Sequence, residues 1–425
     1  MIPWPAPVAT APVRGHVVVP GSKSASARSL LLAALADGPS GLGGVLDSRD
    51  TSLMRTGLSA LGAGVDDLPD GRVRVSPADP VTGGGTIDCG LAGTVLRFLP
   101  PVAALAAGPT RFTGDAAASS RPITGLLDAL ADLGAKVSEP RVLPFTVAGG
   151  NFRGGTVTLD ASPTSQFVSA LLLAGARFPD GIEVRHRGGS LPSLPHIEMT
   201  CALLRRRGVT VERTAEAAWR VEPGPIAALD EYVEPDLTNA ATLLAAALVT
   251  GGELTTAWPE VSVQAADDLI GVLAAFGARI DYSPGPDGRL VTVSGADGIR
   301  GADVDLHAVS ELTPVAAALA AVADSPSTIR GVAHIRGHET DRLAALASGL
   351  SALGADVRET ADGLAIAPRP LHGGLFPTHA DHRLAHAAAL VGLVTPGVEL
   401  DDVACTTKTL PDFPGLWSRL LGVAG

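Results

Sequence analysis

The sequence predicts an α/β protein of two domains, assembled from six repeated units of strands and two helices, three units per domain. Three observations carry this reading. An amphipathic helix ending in Leu-Gly-Ala, or a near variant, recurs six times at intervals of 68 to 77 residues. Each copy is accompanied by a second helix-length segment that is almost wholly apolar. Strand-like stretches separate these helices, which an open helical solenoid would not contain.

The amphipathic phrase appears as LSALGAGV (58–65), LDALADLGAKV (127–137) and LLRRRGVTV (203–211). It returns as IGVLAAFGARI (270–280), LSALGADV (350–357) and WSRLLGV (417–423). Its glycines, Gly62, Gly134, Gly208, Gly277, Gly354 and Gly422, fall where a helix must end and turn into a strand. The apolar partners are SARSLLLAALA (26–36), GTVLRFLPPVAALA (93–106), TSQFVSALLLAGA (164–176), TNAATLLAAALV (238–249), LTPVAAALAAVA (312–323) and DHRLAHAAALVGLV (381–394). Hydrophobic on every face, these helices are expected to be buried. GGTVTLD (154–160) and GGELTTA (251–257) read as strands. VEPDLTNA (233–240) divides the repeats evenly, and HVVVPGS (16–22) reads as a strand completing the last unit. The expected domains are 20–234 and a discontinuous 1–19 plus 235–425, with hinges near 20 and 235.

Composition excludes several classes of function. The 425 residues are 46% hydrophobic but only 4% aromatic, so large cores are packed with small side chains. A net charge of −12 argues against nucleic acid or an anionic membrane as a partner, yet permits small anionic substrates in a locally positive cleft. Cys89, Cys201 and Cys405 form no CxxC pair, which speaks against a disulfide framework and for a reducing cytoplasm. The N-terminus lacks the order of a signal peptide, and no apolar run is long enough to span a membrane. A cytoplasmic monomer is expected. Only three of the 32 basic residues are lysine, and two of them, Lys23 and Lys408, fall within polar motifs.

Those motifs open the helices. Gly21 to Arg28 reads GSKSASAR; other clusters begin at Gly93-Thr94, at Ser162 to Gln166, at Asp236 to Asn239, at Ser310-Glu311 and at Asp381-His382-Arg383. Arg121-Pro122, Glu339 to Arg342 and Lys408-Thr409 open the outer helices. Each alone is an ordinary N-cap. Together, with arginine or lysine at repeat-equivalent places, they describe a cleft lined with helix N-termini and cations, suited to phosphate and carboxylate. GSKSASARS lacks the spacing of a nucleotide-binding P-loop. His379, His382 and His386, or His334 and His338, have spacings that could bind a metal, but come without the cysteine or consistent carboxylate set a zinc site needs. No metal and no cofactor are expected.

PGSKSASAR (20–28), AGT (92–94), RPI (121–123), TSQF (164–167), ETDRL (339–343), DHRLA (381–385) and KTLPDFP (408–414) occur in order over nearly the whole chain. The set resembles the 5-enolpyruvylshikimate-3-phosphate synthase family, most of all its actinobacterial branch. The resemblance implies two inverse α/β barrel domains of the enolpyruvyl transferase type that close on shikimate 3-phosphate and phosphoenolpyruvate, and inhibition by glyphosate in the phosphoenolpyruvate pocket. Carried over by position, it implies shikimate 3-phosphate contacts from Lys23, Ser24, Arg28, Thr164, Ser165, Gln166, Ser193, Glu311, His334 and His338. It implies phosphoenolpyruvate contacts from Lys23, Gly93, Arg121, Gln166, Arg342, Arg383 and Lys408. Glu311, Lys23 and Glu339 are the implied proton-transfer residues. The chain departs from the family pattern at Leu91, Phe98, His196, His334 and His338. A histidine at 338 in place of the usual lysine leads to the expectation that substrate affinity weakens as pH rises through neutrality. The related transferase acting on UDP-N-acetylglucosamine is disfavoured, because GPTRFTGDAAASSR (108–121) holds no counterpart of its reactive-cysteine loop.

Overall fold

The computed structural model describes residues 2–285, 288–295 and 298–422. Val423, which ends the sixth amphipathic phrase, lies outside them. The chain divides into two units, a continuous one from Gly21–Glu234 and a discontinuous one made of Met1–Pro20 and Pro235–Gly425.

The continuous unit holds α1 (Lys23–Ala34), α2 (Arg49–Ala60), α3 (Gly93–Ala103), α4 (Thr124–Asp132), α5 (Gln166–Gly175) and α6 (Leu194–Arg206). Its repeat is plainest between Thr86 and Ala148. Strand Thr86–Asp88 leads through α3 into the parallel strand Thr110–Thr113, and α4 leads on to Lys136–Val137 and Phe145–Ala148. The last strand inserts antiparallel between its two predecessors. Gly155–Leu159, Ile182–His186, Val211–Ala215 and Ala218–Val221 repeat this order around α5 and α6. The first repeat begins directly with α1, and Glu231–Tyr232 supplies its missing strand, running parallel to Leu42 and Gly43. The apolar helices α1, α3 and α5 are buried almost throughout and pack on one another. α3 and α5 hold few polar side chains, and those of α1 lie between Lys23 and Ser29, so none of the three has a solvent face to lose.

The discontinuous unit follows the same plan with α7 (Leu237–Thr250), α8 (Ala266–Ala275), α9 (Thr313–Ala321), α10 (Arg342–Ala352), α11 (His382–Gly392) and α12 (Phe413–Leu420). Here α7, α9 and α11 are the buried, mutually packed helices. The six phrase-ending glycines all have positive φ, between 65° and 106°, as a helix-to-strand turn requires.

One expected element is corrected. The strand read at 16–22 is Arg14–His16, and it does not complete the last unit. It pairs in parallel with Glu253–Thr255, in the first sheet of the discontinuous unit. The last unit's sheet, Gly374–Phe376 and Val398–Leu400, is completed by Trp4–Pro5, antiparallel to Val398–Leu400. Val17 still donates its N–H to the Thr255 carbonyl, but its own carbonyl accepts from the Thr256 side chain and Pro20 has no N–H to give, so the ladder ends there and the valine run does not continue the strand.

Candidate active site

In the continuous unit the first turns of the buried helices gather the candidate residues. Ser22 caps α1 by accepting from the Ala25 N–H, which sets Lys23 and Ser24 at the helix start. Lys23 Nζ lies 3.8 Å from the Asp50 carboxylate on α2. One turn on, Arg28 is 1% exposed. Its Nε donates to Thr200 Oγ1 at 2.8 Å and Nη1 to the Ser24 carbonyl at 2.9 Å. Nη2 donates to the His196 carbonyl at 3.1 Å and to Ser169 Oγ at 3.3 Å. The Phe98 ring lies under the guanidinium, 5.0 Å from its centroid. Burial lowers the Arg28 pKa to about 9, the mark of a cation that an anionic ligand would stabilise.

Gly93 opens α3, and no side chain among the described residues caps this helix. A Cβ on Gly93 would stand 2.9 Å from Arg97 Nη1 and 3.1 Å from both terminal nitrogens of Arg121. Arg121 donates Nη1 to the Leu91 carbonyl at 2.8 Å. An uncapped helix start beside guanidinium groups suits a phosphate or carboxylate. Thr164, Ser165 and Gln166 lead into α5; Thr164 Oγ1 accepts from the Gln166 N–H, and Gln166 Oε1 accepts from Arg97 Nη1 at 2.8 Å. Ser193 precedes α6 with φ 50°. This left-handed conformation costs a serine on the order of 1 kcal/mol and is typical of functional positions.

In the discontinuous unit the candidates converge on Arg342, the first residue of α10 and fully buried. Nε donates to Asp381 Oδ2 at 2.7 Å, Nη1 to Glu311 Oε2 at 2.8 Å and Nη2 to Glu339 Oε2 at 2.9 Å. Arg383, on α11, donates Nε to the same Glu311 oxygen at 2.7 Å. Lys408 donates Nζ to Glu339 Oε1 at 2.6 Å. Burial alone would raise the Glu311 pKa, but the guanidiniums of Arg342 and Arg383 outweigh it and hold the carboxyl well below its usual range. Burial likewise works against charge on Arg342, and the three carboxylates more than offset it.

The histidines differ from expectation. His338 Nδ1 lies 3.2 Å from Arg342 Nη1 and 3.5 Å from Glu311 Oε1. Arginine only donates, so Nδ1 is an acceptor and the ring is neutral. Burial pushes its pKa down to about 3. In the free protein the charge expected on His338 is therefore absent on both sides of neutrality. His334 Nε2 meets Ser310 Oγ at 2.9 Å, and burial, then His307, lower its pKa to about 4.

A family model described as EPSP synthase (3-phosphoshikimate 1-carboxyvinyltransferase) matches residues 8–417. A 3-phosphoshikimate 1-carboxyvinyltransferase of Kocuria rhizophila is 50% identical over 440 residues, covering 99% of this chain and 97% of that one. The chain belongs to the EPSP synthase family. The fold agrees: an EPSP synthase of Acinetobacter baumannii matches with a TM-score of 0.81 at 23% identity, covering 98% of this chain and 97% of that one. The enolpyruvyl transferase NikO of Streptomyces tendae matches with a TM-score of 0.77 at 18% identity over the same shares.

Two residues of this EPSP synthase family member escaped the sequence reading of the site. Asp381, read only as part of a helix-opening cluster, grips Arg342 through both oxygens. Arg97, a buried arginine inside an apolar helix, holds Gln166. A charge in the middle of a buried segment was the signal available for Arg97.

Proposed function

We propose that the chain transfers the enolpyruvyl group of phosphoenolpyruvate to the 5-hydroxyl of shikimate 3-phosphate, releasing phosphate by addition and elimination. The observation that carries this is the Arg342 hub, which holds the carboxylates of Glu311, Glu339 and Asp381, with Arg383 on Glu311 and Lys408 on Glu339. In the addition step the hydroxyl oxygen bonds to C2 of phosphoenolpyruvate as its proton passes to Glu311. C3 gains a proton from Lys23 or Glu339, giving a tetrahedral intermediate. In the elimination step C3 returns its proton to the residue that gave it, the C2–O bond to phosphate breaks with its electron pair leaving on the phosphate, which takes the proton from Glu311, and the double bond returns. Arg121, Arg342 and Lys408 stabilise the departing phosphate. In the free protein Glu311 is a weak base because two guanidiniums hold it. The carboxylate and phosphate of phosphoenolpyruvate compete for those guanidiniums, and the loss of their hold raises Glu311's basicity when substrate is present.

A phosphate-release assay tests the reading. Release is expected from phosphoenolpyruvate with shikimate 3-phosphate, and not with UDP-N-acetylglucosamine; the reverse pattern, or none, overturns it. Glu311→Gln is expected to slow turnover roughly 10²–10⁴-fold while shikimate 3-phosphate still binds. The same reading has the chain act without a cofactor or metal, as a cytoplasmic monomer of two domains hinged near 20 and 235. A radius of gyration unchanged by saturating shikimate 3-phosphate would count against the hinges, and a dimer mass in sedimentation against the monomer.

A further inference from the structure

Arg97 is 3% exposed, and its contacts lead to candidate residues on three sides. Nη1 donates to Gln166 Oε1 at 2.8 Å. Nε donates at 3.1 Å to the carbonyl of Pro122, the residue after Arg121. Nη1 also lies 2.9 Å from the place a Cβ on Gly93 would take, and the guanidinium stands 6.0 Å from the centroid of the Phe167 ring.

A guanidinium has donors and no acceptor. The Gln166 atom facing it is therefore the oxygen, and the amide's two N–H donors belong to Nε2, which cannot take that place. A glutamine without such a partner can turn its amide over and offer oxygen or nitrogen by turns. We propose that Arg97 is a positioning residue that fixes the Gln166 amide so that it meets the substrates with donors only. Gln166 then selects for acceptor atoms, the phosphate or carboxylate oxygens and hydroxyl lone pairs of the two substrates. The inference rests on the enolpyruvyl-transfer reading above.

The test is a double-mutant cycle in steady-state kinetics with both substrates. Arg97→Met is expected to lower kcat/KM roughly ten- to a hundredfold, the scale of one hydrogen bond to a charged group. In a Gln166→Met background the same change is expected to cost less than about threefold, because the amide it orients is gone. Arg97→Lys, which still offers donors, is expected to recover part of the loss. Equal Arg97→Met effects in both backgrounds overturn the proposal. Gln166→Glu tests it without altering Arg97: the carboxylate keeps an oxygen on the guanidinium and a folded protein, but loses the donors. It is expected to lose activity at least as strongly as Arg97→Met, and near-normal activity overturns the proposal. An inactive wild type would instead sink the enolpyruvyl-transfer reading itself.

Discussion

At the scale of single residues, Gly93 shows how little room the candidate phosphoenolpyruvate pocket has. A methyl there meets the ends of Arg97 and Arg121 at 2.9–3.1 Å, too close for either to stay in place. Both are flexible side chains, so they are expected to give way by a few tenths of an ångström without unfolding the helix. Gly93→Ala should therefore disturb the ligand through the displaced guanidiniums as well as by its own bulk. Glyphosate is longer than phosphoenolpyruvate and has less slack, so its inhibition constant is expected to rise more than the phosphoenolpyruvate KM. Equal glyphosate constants in a folded, active variant would place Gly93 outside the pocket. The residues that opened helices were legible in the sequence, because a cap motif and a charge are local features. Their partners were not. That Phe98 underlies Arg28, and that Leu91 and His196 contribute backbone carbonyls to the arginines, depends on segments brought together only by folding. A backbone carbonyl is present whatever the side chain, so neither arginine contact depends on the residue type at 91 or 196.

Among the elements, the repeat was readable because helix periodicity and a terminal glycine lie within a dozen residues of each other. Strand exchange was not. Glu231–Tyr232 pairs with Leu42 and Gly43, and Arg14–His16 with Glu253–Thr255, and nothing in a strand's own pattern names a partner some 190 to 240 residues away. Helix starts also do two jobs at once. Asp381 caps α11 by accepting from the Arg383 N–H at 2.9 Å, and its carboxylate grips Arg342. Asparagine can keep the cap but not the charge, whereas alanine loses both. Asp381→Ala is thus expected to be less stable than Asp381→Asn by about 1 kcal/mol, the usual worth of a cap. Both variants are expected to raise the phosphoenolpyruvate KM by a similar factor, because Arg342 loses one of the carboxylates that orient it. Denaturant unfolding and steady-state kinetics separate the two roles. Full kinetic recovery in Asp381→Asn would reduce Asp381 to a cap.

For the whole molecule, buried histidines set the response to acid. His386 is 1% exposed on α11, its ring centroid 4.9 Å from that of Phe413, and neither ring nitrogen has a hydrogen-bond partner among the described residues. Burial, then the nearby Arg383, push its pKa from 6.5 down to about 3. His338 and His334 lie at about 3 and about 4 for the same first reason. Below pH 6.5 the unfolded chain binds protons at these positions and the folded chain does not. Stability therefore falls as pH drops from about 6.5 toward 4, by up to about 1.4 kcal/mol per pH unit for each histidine. Glu311, whose folded pKa is also depressed, adds loss of the same sign below its ordinary value of 4.5. The melting temperature is accordingly expected to be level above pH 7 and to decline steadily between pH 6.5 and 4.5. His386→Leu removes one titrating group and two buried nitrogens at similar volume. It is expected to melt no lower than wild type at pH 7.5, and to lose less on acidification to pH 5. A wild-type melting temperature that stays flat from pH 7.5 to 5, or a His386→Leu protein with an unchanged slope, would show that these rings do not govern acid stability.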